Sequence, residues 1–134
     1  MPSIRKETII DRPPEQVWDA VRDVGAFHLR LVPGYTQNTL LDGNERTLIL
    51  PNGDAVRELI VSVDDESRRM VFAVKEGRLP LVHHNASFQV LPHGDRGSIF
   101  VWVTDFLPET LSADIQAQTD RVSAVIKHTI ENAN

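Results

Sequence analysis

The sequence contains no cysteine among its 134 residues, so disulfides, thiolate metal sites and a cysteine nucleophile are all excluded. It also lacks an apolar run long enough to cross a bilayer, and we therefore predict no membrane insertion. Positive charge is in deficit, because 14 Lys and Arg face 19 Asp and Glu for a net charge of −5. A nucleic-acid binder needs a basic face that replaces counterions, so we predict no nucleic-acid partner.

What is present is the composition of an ordinary globular protein, with 41% hydrophobic and 25% charged residues. The length predicts a single domain over residues 1–134. No apolar segment of the kind found in secretory signals follows the first charged residues, Arg5 and Lys6. We therefore expect a cytoplasmic protein.

The period of the apolar residues separates strands from helices along the chain. One strand is followed by one or two short helices, then six strands joined by short turns, then a long helix. Short turns between successive strands are typical of an antiparallel meander. The predicted strands are Ser3–Asp11, Tyr35–Asp42, Arg46–Leu50, Val56–Asp64, Arg69–Glu76, Val82–Leu91 and Ser98–Phe106, and the predicted helices are Pro14–Val24, Ala26–Val32 and Glu109–Asn132.

This order predicts an α+β fold in which a seven-stranded, curled antiparallel sheet wraps around the long C-terminal helix. Such a sheet has one face to bury, and one apolar helical stripe can cover it if the sheet curls. A curled sheet with a single helix across its mouth does not close everywhere. We therefore expect an apolar cavity between the sheet and the C-terminal helix.

Six segments along the chain form a recognisable series, namely Asp11–Trp18, Pro33-Gly34, Gly43–Arg46, Val56–Leu59, Val63–Glu66 and Ser98–Phe106. In this order and spacing they resemble the START/Bet v 1-like (SRPBCC) superfamily, whose members have the helix-grip fold. The resemblance extends over essentially the whole chain, and it is nearest to small polyketide cyclase/dehydrase-like proteins and to the plant abscisic-acid receptors. It implies the fold more strongly than the function, because this fold hosts lipid carriers, hormone receptors, cyclases and hydrolases.

Two polar residues are candidates for chemistry in the cavity. Strand alternation places His84 on the mostly apolar face of its strand, and the resemblance to the hormone receptors implies that Glu58 faces the pocket. A carboxylate beside an imidazole can hold an ion pair, orient a polar ligand group, or act as general acid and base. The alternatives are a Glu58 that faces solvent or pairs with a neighbouring Arg, and a purely structural His84.

The remaining ligand-binding candidates are apolar or small, and for the aromatic ones a plain core role is the alternative. Val32 takes the position of the lysine that grips the hormone carboxylate in the receptors, which favours a neutral ligand here. On the last helix, small residues beside the apolar stripe would leave room for a ligand, although a mildly exposed face is the alternative. The candidates are Val32, Leu48, Leu50, Phe72, Val74, Leu81, Ala86, Phe88, Trp102, Ala113 and Ala117.

No motif in the sequence predicts a metal or a cofactor. The adjacent histidines His83 and His84 would point to opposite faces of a strand, so they would not readily bind one ion together. A glycine-rich phosphate loop, a nucleophile elbow and a dinucleotide fingerprint are all missing.

Three functions remain open from the sequence. The first is binding of a small hydrophobic molecule such as a lipid, an isoprenoid or a polyketide. The second is a cyclase or dehydratase that uses Glu58 and His84 for proton transfer. The third is a protein-interaction module, such as a homodimer, that uses the outward apolar row of Ile99, Val101 and Val103. Arg46 also matches the family pattern, and we expect an edge arginine that stabilises a loop.

Overall fold

The computed structural model describes residues 2–133. It contains seven strands, three α-helices and two short 3₁₀ turns in the predicted order. The strands are β1 (Ser3–Ile10), β2 (Asn38–Asp42), β3 (Glu45–Ile49), β4 (Ala55–Asp64), β5 (Arg69–Glu76), β6 (His83–His93) and β7 (Gly97–Leu107). The helices are α1 (Pro14–Arg22), α2 (Phe27–Arg30) and α3 (Ser112–Glu131), and the 3₁₀ turns are Val24–Ala26 and Glu109–Leu111.

All seven strands form one antiparallel sheet in the order β1-β7-β6-β5-β4-β3-β2. From β2 to β7 each strand pairs with its neighbour in sequence, whereas β1 is added beside β7. The two-residue turn between β2 and β3 begins with Gly43 at φ 61°, a conformation that glycine adopts without steric cost. The helix-grip fold predicted from the sequence is confirmed.

The first helix closes one side of the sheet. Pro14 occupies its first turn, where the missing N–H needs no partner. Its buried face, which includes Val17 and Val21, packs into the main core. The Trp18 indole donates to Asp65 Oδ1 at 2.9 Å and thereby ties α1 to the β4–β5 turn.

The long helix α3 lies across the concave face of the sheet. Lys6 pairs with Asp120 at 3.3 Å and the Lys127 ammonium donates to the Ile9 carbonyl at 2.6 Å, so α3 is fixed over β1. Within residues 2–133, no helix combines the length and the apolar character needed to cross a membrane. The inward residues of α3 that are buried are Ile115, Thr119, Val122, Ser123, Ile126 and Ile130.

The outward apolar row on β7 is less accessible than a free interaction surface would be. Val101 is only 2% exposed, and Ile99 and Val103 are partly buried. The neighbouring strands place Glu7 and Gln89 directly opposite Val101, and side chains that flank it in this way cover a central-strand residue on the outer face.

Candidate functional site

Two adjoining cavities lie between α3 and the concave face of the sheet. The inner cavity has a volume of about 120 Å³, and the outer cavity, nearer the surface, has about 340 Å³. A cavity of about 10–15 Å³ is enough to hold one water molecule, so even the inner cavity has room for more than one. Both cavities share the lining residues Tyr35, Val56, Val74, Leu79, Leu81 and Gln118.

The structure brings most of the sequence-predicted site residues to these two cavities. The outer cavity is lined by Leu50 and Ala117, and also by Val74 and Leu81, which border both spaces. The inner cavity is lined by nine of the candidates, which are Val32, Leu48, Glu58, Phe72, Val74, Leu81, His84, Phe88 and Trp102.

Two candidates line neither cavity. Ala86 lies on the inward face of β6, but its methyl group is 1% exposed within the packed core. Ala113 lies on α3 outside the face that lines the outer cavity, which consists of Asp114, Ala117, Gln118 and Arg121. At about 100° per residue these four residues fall within a sector of about 100° around the helix axis, and Ala113 lies about 40° beyond the edge of that sector.

Several lining residues were missed in the sequence. Tyr35 and Thr36 belong to a turn after α2, where no periodicity indicates which way a side chain points. Thr104 and Thr119 were detectable, since Thr104 alternates with Trp102 on β7 and Thr119 lies on the inward stripe of α3. The other inner-cavity residues not predicted are Phe27, Val56, Leu79, Ile115, Gln118 and Val122.

Glu58 forms a buried ion pair with Arg46 on the neighbouring strand. The two residues are directly opposite each other in the β3–β4 register. The Arg46 Nε donates to Glu58 Oε1 at 2.8 Å, and Nη2 lies 2.6 Å from the same oxygen in an ion-pair contact whose N–H is not directed at it. Arg46 is 1% exposed, so the expectation of an edge arginine that stabilises a loop was wrong.

The environment of this pair explains how two charges are kept in the core. The Arg46 guanidinium lies 4.7 Å above the Phe27 ring and 5.6 Å above that of Phe72, which are cation–π contacts. Its Nη1 donates to the Val24 carbonyl at 3.3 Å. Burial raises the pKa of Glu58, and the charge and hydrogen bond of Arg46 only partly oppose that rise.

His84 is a neutral hydrogen-bond donor toward the cavity. Burial lowers its pKa to about 4, with a smaller contribution from the neighbouring His83. The backbone N–H of Val74 donates to His84 Nδ1 at 3.0 Å. Because Nδ1 uses its lone pair in this bond, the proton of the neutral ring resides on Nε2. The residue lines the inner cavity, and within residues 2–133 its Nε2 makes no hydrogen bond.

Val74 links the two polar candidates in space. It faces Glu58 in the β4–β5 register and supplies the N–H that binds His84. The carboxylate and the imidazole therefore flank the same residue of β5 along one wall of the inner cavity.

A second wall of the inner cavity carries polar atoms without partners. Trp102 Nε1 and Thr104 Oγ1 are buried and have no hydrogen-bond partner among residues 2–133. Both residues project from β7 on the side of the cavity, and Trp102 packs edge-on against Phe88 at 5.1 Å between ring centroids. Buried donors without partners are rare in folded proteins and are usually satisfied by water or a ligand.

The described part of the chain contains no group of three His, Asp or Glu side chains that could hold a metal ion. The site is therefore built from one buried ion pair, one neutral imidazole and a few hydroxyl and indole groups in an apolar enclosure. Such a site can orient an oxygen function of an otherwise apolar molecule.

Solved structures similar to this chain share its fold. An uncharacterized protein from Bacillus thuringiensis matches with a TM-score of 0.88 at 18% identity, covering 96% of this chain and 98% of that one. The di-domain ARO/CYC BexL, from the BE-7585A biosynthetic pathway, matches with a TM-score of 0.85 at 14% identity, covering 98% of this chain and 47% of that one.

A third similar structure is that of norcoclaurine synthase from Thalictrum flavum in complex with dopamine and hydroxybenzaldehyde. Its TM-score is 0.69 at 19% identity, and the match covers 99% of this chain and 88% of that one. At such identities the likeness shows the fold alone. The comparison with curated proteins finds no match.

The family comparison covers nearly the whole chain. The model of the family described as "Polyketide cyclase / dehydrase and lipid transport" matches residues 1–129. The resemblance noted in the sequence is thereby confirmed, and this chain belongs to the polyketide cyclase/dehydrase and lipid transport family.

Proposed function

We propose that this protein binds a small, largely apolar molecule with an oxygen function, held between the sheet and α3. A lipid, an isoprenoid and a polyketide-like compound all have this character. The observation that carries the proposal is the inner cavity, which is mostly apolar yet is lined by His84, whose Nε2 makes no hydrogen bond within residues 2–133, and by Trp102, whose Nε1 is buried without a partner.

The polar groups favour a neutral oxygen function deep in the cavity. His84 is neutral because burial lowers its pKa to about 4, and the Glu58 carboxyl is already paired with Arg46. Val32, which lines the same space, offers no charge to a ligand carboxylate. A carbonyl or hydroxyl oxygen would accept hydrogen bonds there, whereas an unpaired carboxylate would be costly to bury.

Two alanines on α3 provide a matched test of the cavity. In Ala117→Trp a bulky ring replaces a methyl group that lines the outer cavity, whereas Ala113→Trp places the same ring one turn away, outside both cavities. We expect the neutral fluorophore N-phenyl-1-naphthylamine to bind the wild type and Ala113→Trp alike, and Ala117→Trp much more weakly.

Native mass spectrometry of the purified chain complements this titration, because a carrier should retain an apolar compound. Equal probe binding by the two tryptophan variants would contradict binding in this cavity. Absence of both a retained compound and probe binding in the wild type would contradict the ligand-binding function itself.

A cyclase or dehydratase activity is the second candidate. It is favoured by the positions of Glu58 and His84 on either side of Val74. The pKa of Glu58 is raised, and the N–H of His84 can polarise a carbonyl. In this arrangement Glu58 would remove the proton and His84 would stabilise the developing oxyanion.

Deuterium exchange tests this second candidate. We expect the wild type to accelerate exchange at the α carbons of cyclohexanone, and Glu58→Gln to lose the acceleration while still binding the fluorophore. Exchange at the uncatalysed rate in the wild type would count against an enzyme and would leave the binding function as it stands.

A further inference from the structure

We propose that Arg78 and Arg121 form an oxyanion site at the outer cavity, so that the ligand is an amphiphile with its carboxylate or phosphate at the entrance. This inference rests on the proposed binding function and adds the charge and the orientation of the ligand. The ligand would then occupy both cavities, with a neutral oxygen in the inner cavity and its anionic group in the outer cavity.

The two arginines come from different elements, and both line the outer cavity. Arg78 lies in the loop between β5 and β6, and Arg121 lies on α3. The lining face of α3 consists of Asp114, Ala117, Gln118 and Arg121, a spacing that places all four on one side of the helix. An anion in this cavity could accept hydrogen bonds from one arginine on the loop and one on the helix.

Neither guanidinium is neutralised by the protein. Among residues 2–133 no carboxylate oxygen lies within 4.0 Å of Arg78 or Arg121. Six of the 14 Lys and Arg residues have no carboxylate partner within residues 2–133, and of these six only Arg78 and Arg121 line the outer cavity. The cations that do form ion pairs are Arg5, Lys6, Arg22, Arg30, Arg46, Arg57, Lys75 and Lys127.

The charge of the outer cavity is positive despite the negative charge of the whole chain. The charged residues that line it are two cations, Arg78 and Arg121, and one anion, Asp114. Asp114 forms an ion pair with neither arginine. Two planar guanidiniums can bind a carboxylate or phosphate through paired N–H groups. Because the chain as a whole carries a net negative charge, an anionic group would be attracted to the outer cavity in preference to the rest of the surface.

The apolar surface behind the arginines fixes the orientation of the ligand. Leu50, Leu79 and Leu81 line the outer cavity beside Arg78, and the shared lining continues to the inner cavity. An alkyl or ring system would follow this path while its anionic group stayed at the partly hydrated entrance. The reverse orientation would place the anion beside Val32, where no cation lines the cavity.

A pair of ligands that differ only in the end group tests the inference. Decanoate and 1-decanol would each displace N-phenyl-1-naphthylamine from the full chain at pH 7 and low salt. Two solvent-accessible ion pairs contribute little each, so we expect decanoate to displace the fluorophore at roughly 3- to 30-fold lower concentration. Added NaCl should reduce that advantage because the pairs are exposed.

Variants assign the effect to the two arginines. In Arg78→Gln with Arg121→Gln the decanoate advantage should disappear, with decanoate binding weakened far more than decanol binding, whereas Asp114→Asn should increase the advantage. The control is Arg69→Gln with Arg96→Gln, which removes two other arginines without a carboxylate partner; these lie at the start of β5 and in the β6–β7 turn, at the opposite end of the sheet.

The outcomes separate this inference from the proposed function. Equal displacement by decanoate and decanol, or an advantage that both double variants lose alike, would overturn the oxyanion site and leave the binding function intact. Failure of the fluorophore and of both decyl compounds to bind would overturn the binding function and the oxyanion site together.

Discussion

Lowering the pH from 7 to 4.5 should destabilise this protein through the protonation of His84. In the folded chain burial lowers the pKa of His84 to about 4, whereas in the unfolded chain it has the ordinary value of 6.5. Between these two values the unfolded state holds a proton on His84 that the folded state does not. The free energy of unfolding therefore decreases as the pH falls from about 6.5 toward 4.

The magnitude follows from the two pKa values of His84. Each unit of difference between the two pKa values corresponds to about 1.4 kcal/mol in the free energy of unfolding, so the full difference corresponds to about 3 kcal/mol. Roughly 2.5 kcal/mol of this is lost by pH 4.5. Such a loss is large beside a typical domain stability of about 5–15 kcal/mol. Carboxylates that titrate in the same range add their own contribution, so the wild type alone does not isolate the histidine.

The matched variant is His84→Asn, which keeps an oxygen near the position of Nδ1 for the Val74 N–H and removes the titration. Urea unfolding at pH 7, 5.5 and 4.5 gives the free energy of unfolding for the wild type, for His84→Asn and for the control His93→Asn at the exposed end of β6. We expect the wild type and the control to lose roughly 2.5 kcal/mol more than His84→Asn on going to pH 4.5. Parallel losses in all three proteins would refute the assignment of a buried, neutral His84.

Two other predictions concern the buried ion pair and the outer sheet face. Arg46→Ala leaves the Glu58 carboxyl buried without its partner and should lower the free energy of unfolding in urea by about 3–5 kcal/mol. Arg46→Met combined with Glu58→Leu should recover most of that loss. An Arg46→Ala variant as stable as the wild type would contradict the buried ion pair. Val101→Glu should destabilise the protein because Val101 is 2% exposed, so the homodimer hypothesis is better tested with Ile9→Glu, at 54% exposure beside Ile99. A dimer through this face predicts a lower mass for Ile9→Glu by size-exclusion chromatography with light scattering, and an unchanged mass would contradict it.

The fold was predictable because the sequence changes its apolar period where the structure changes element. Alternating residues in β3 to β7 and the helical stripe of α3 both identify buried faces, and turn residues separate the strands. The main error in the element bounds lies before β2, which begins at Asn38 and not at Tyr35. The N–H groups of Tyr35 and Thr36 both bond to the Val32 carbonyl, and this turn keeps both residues out of the sheet.

The inward faces of the strands were predictable, and pairing of Glu58 with a neighbouring arginine was one alternative, but Arg46 was not identified as that arginine. The turn Pro51–Asp54 contained the necessary signal, because a hairpin centred near Asn52 places Arg46 opposite Glu58. An isolated arginine in an edge-proximal strand is most often solvated, and that general tendency led to the wrong expectation. Burial of Arg46 depends on the rings of Phe27 and Phe72, which come from α2 and β5 and are brought together only by the tertiary fold.

The chemistry of the inner cavity limits how catalysis could be divided between its two polar groups. His84 offers a donor and no free lone pair, because Val74 N–H occupies Nδ1 and the proton is on Nε2. It can stabilise an oxyanion, but it cannot accept a proton without losing a backbone hydrogen bond. Proton removal would therefore fall to Glu58, whose Oε1 is held by Arg46, leaving Oε2 as the only available base. For a bound molecule that undergoes no reaction, His84 would only donate a hydrogen bond, and Glu58 would remain in its ion pair with Arg46. The exchange rate in Glu58→Gln therefore distinguishes an enzyme from a carrier more directly than any variant of His84.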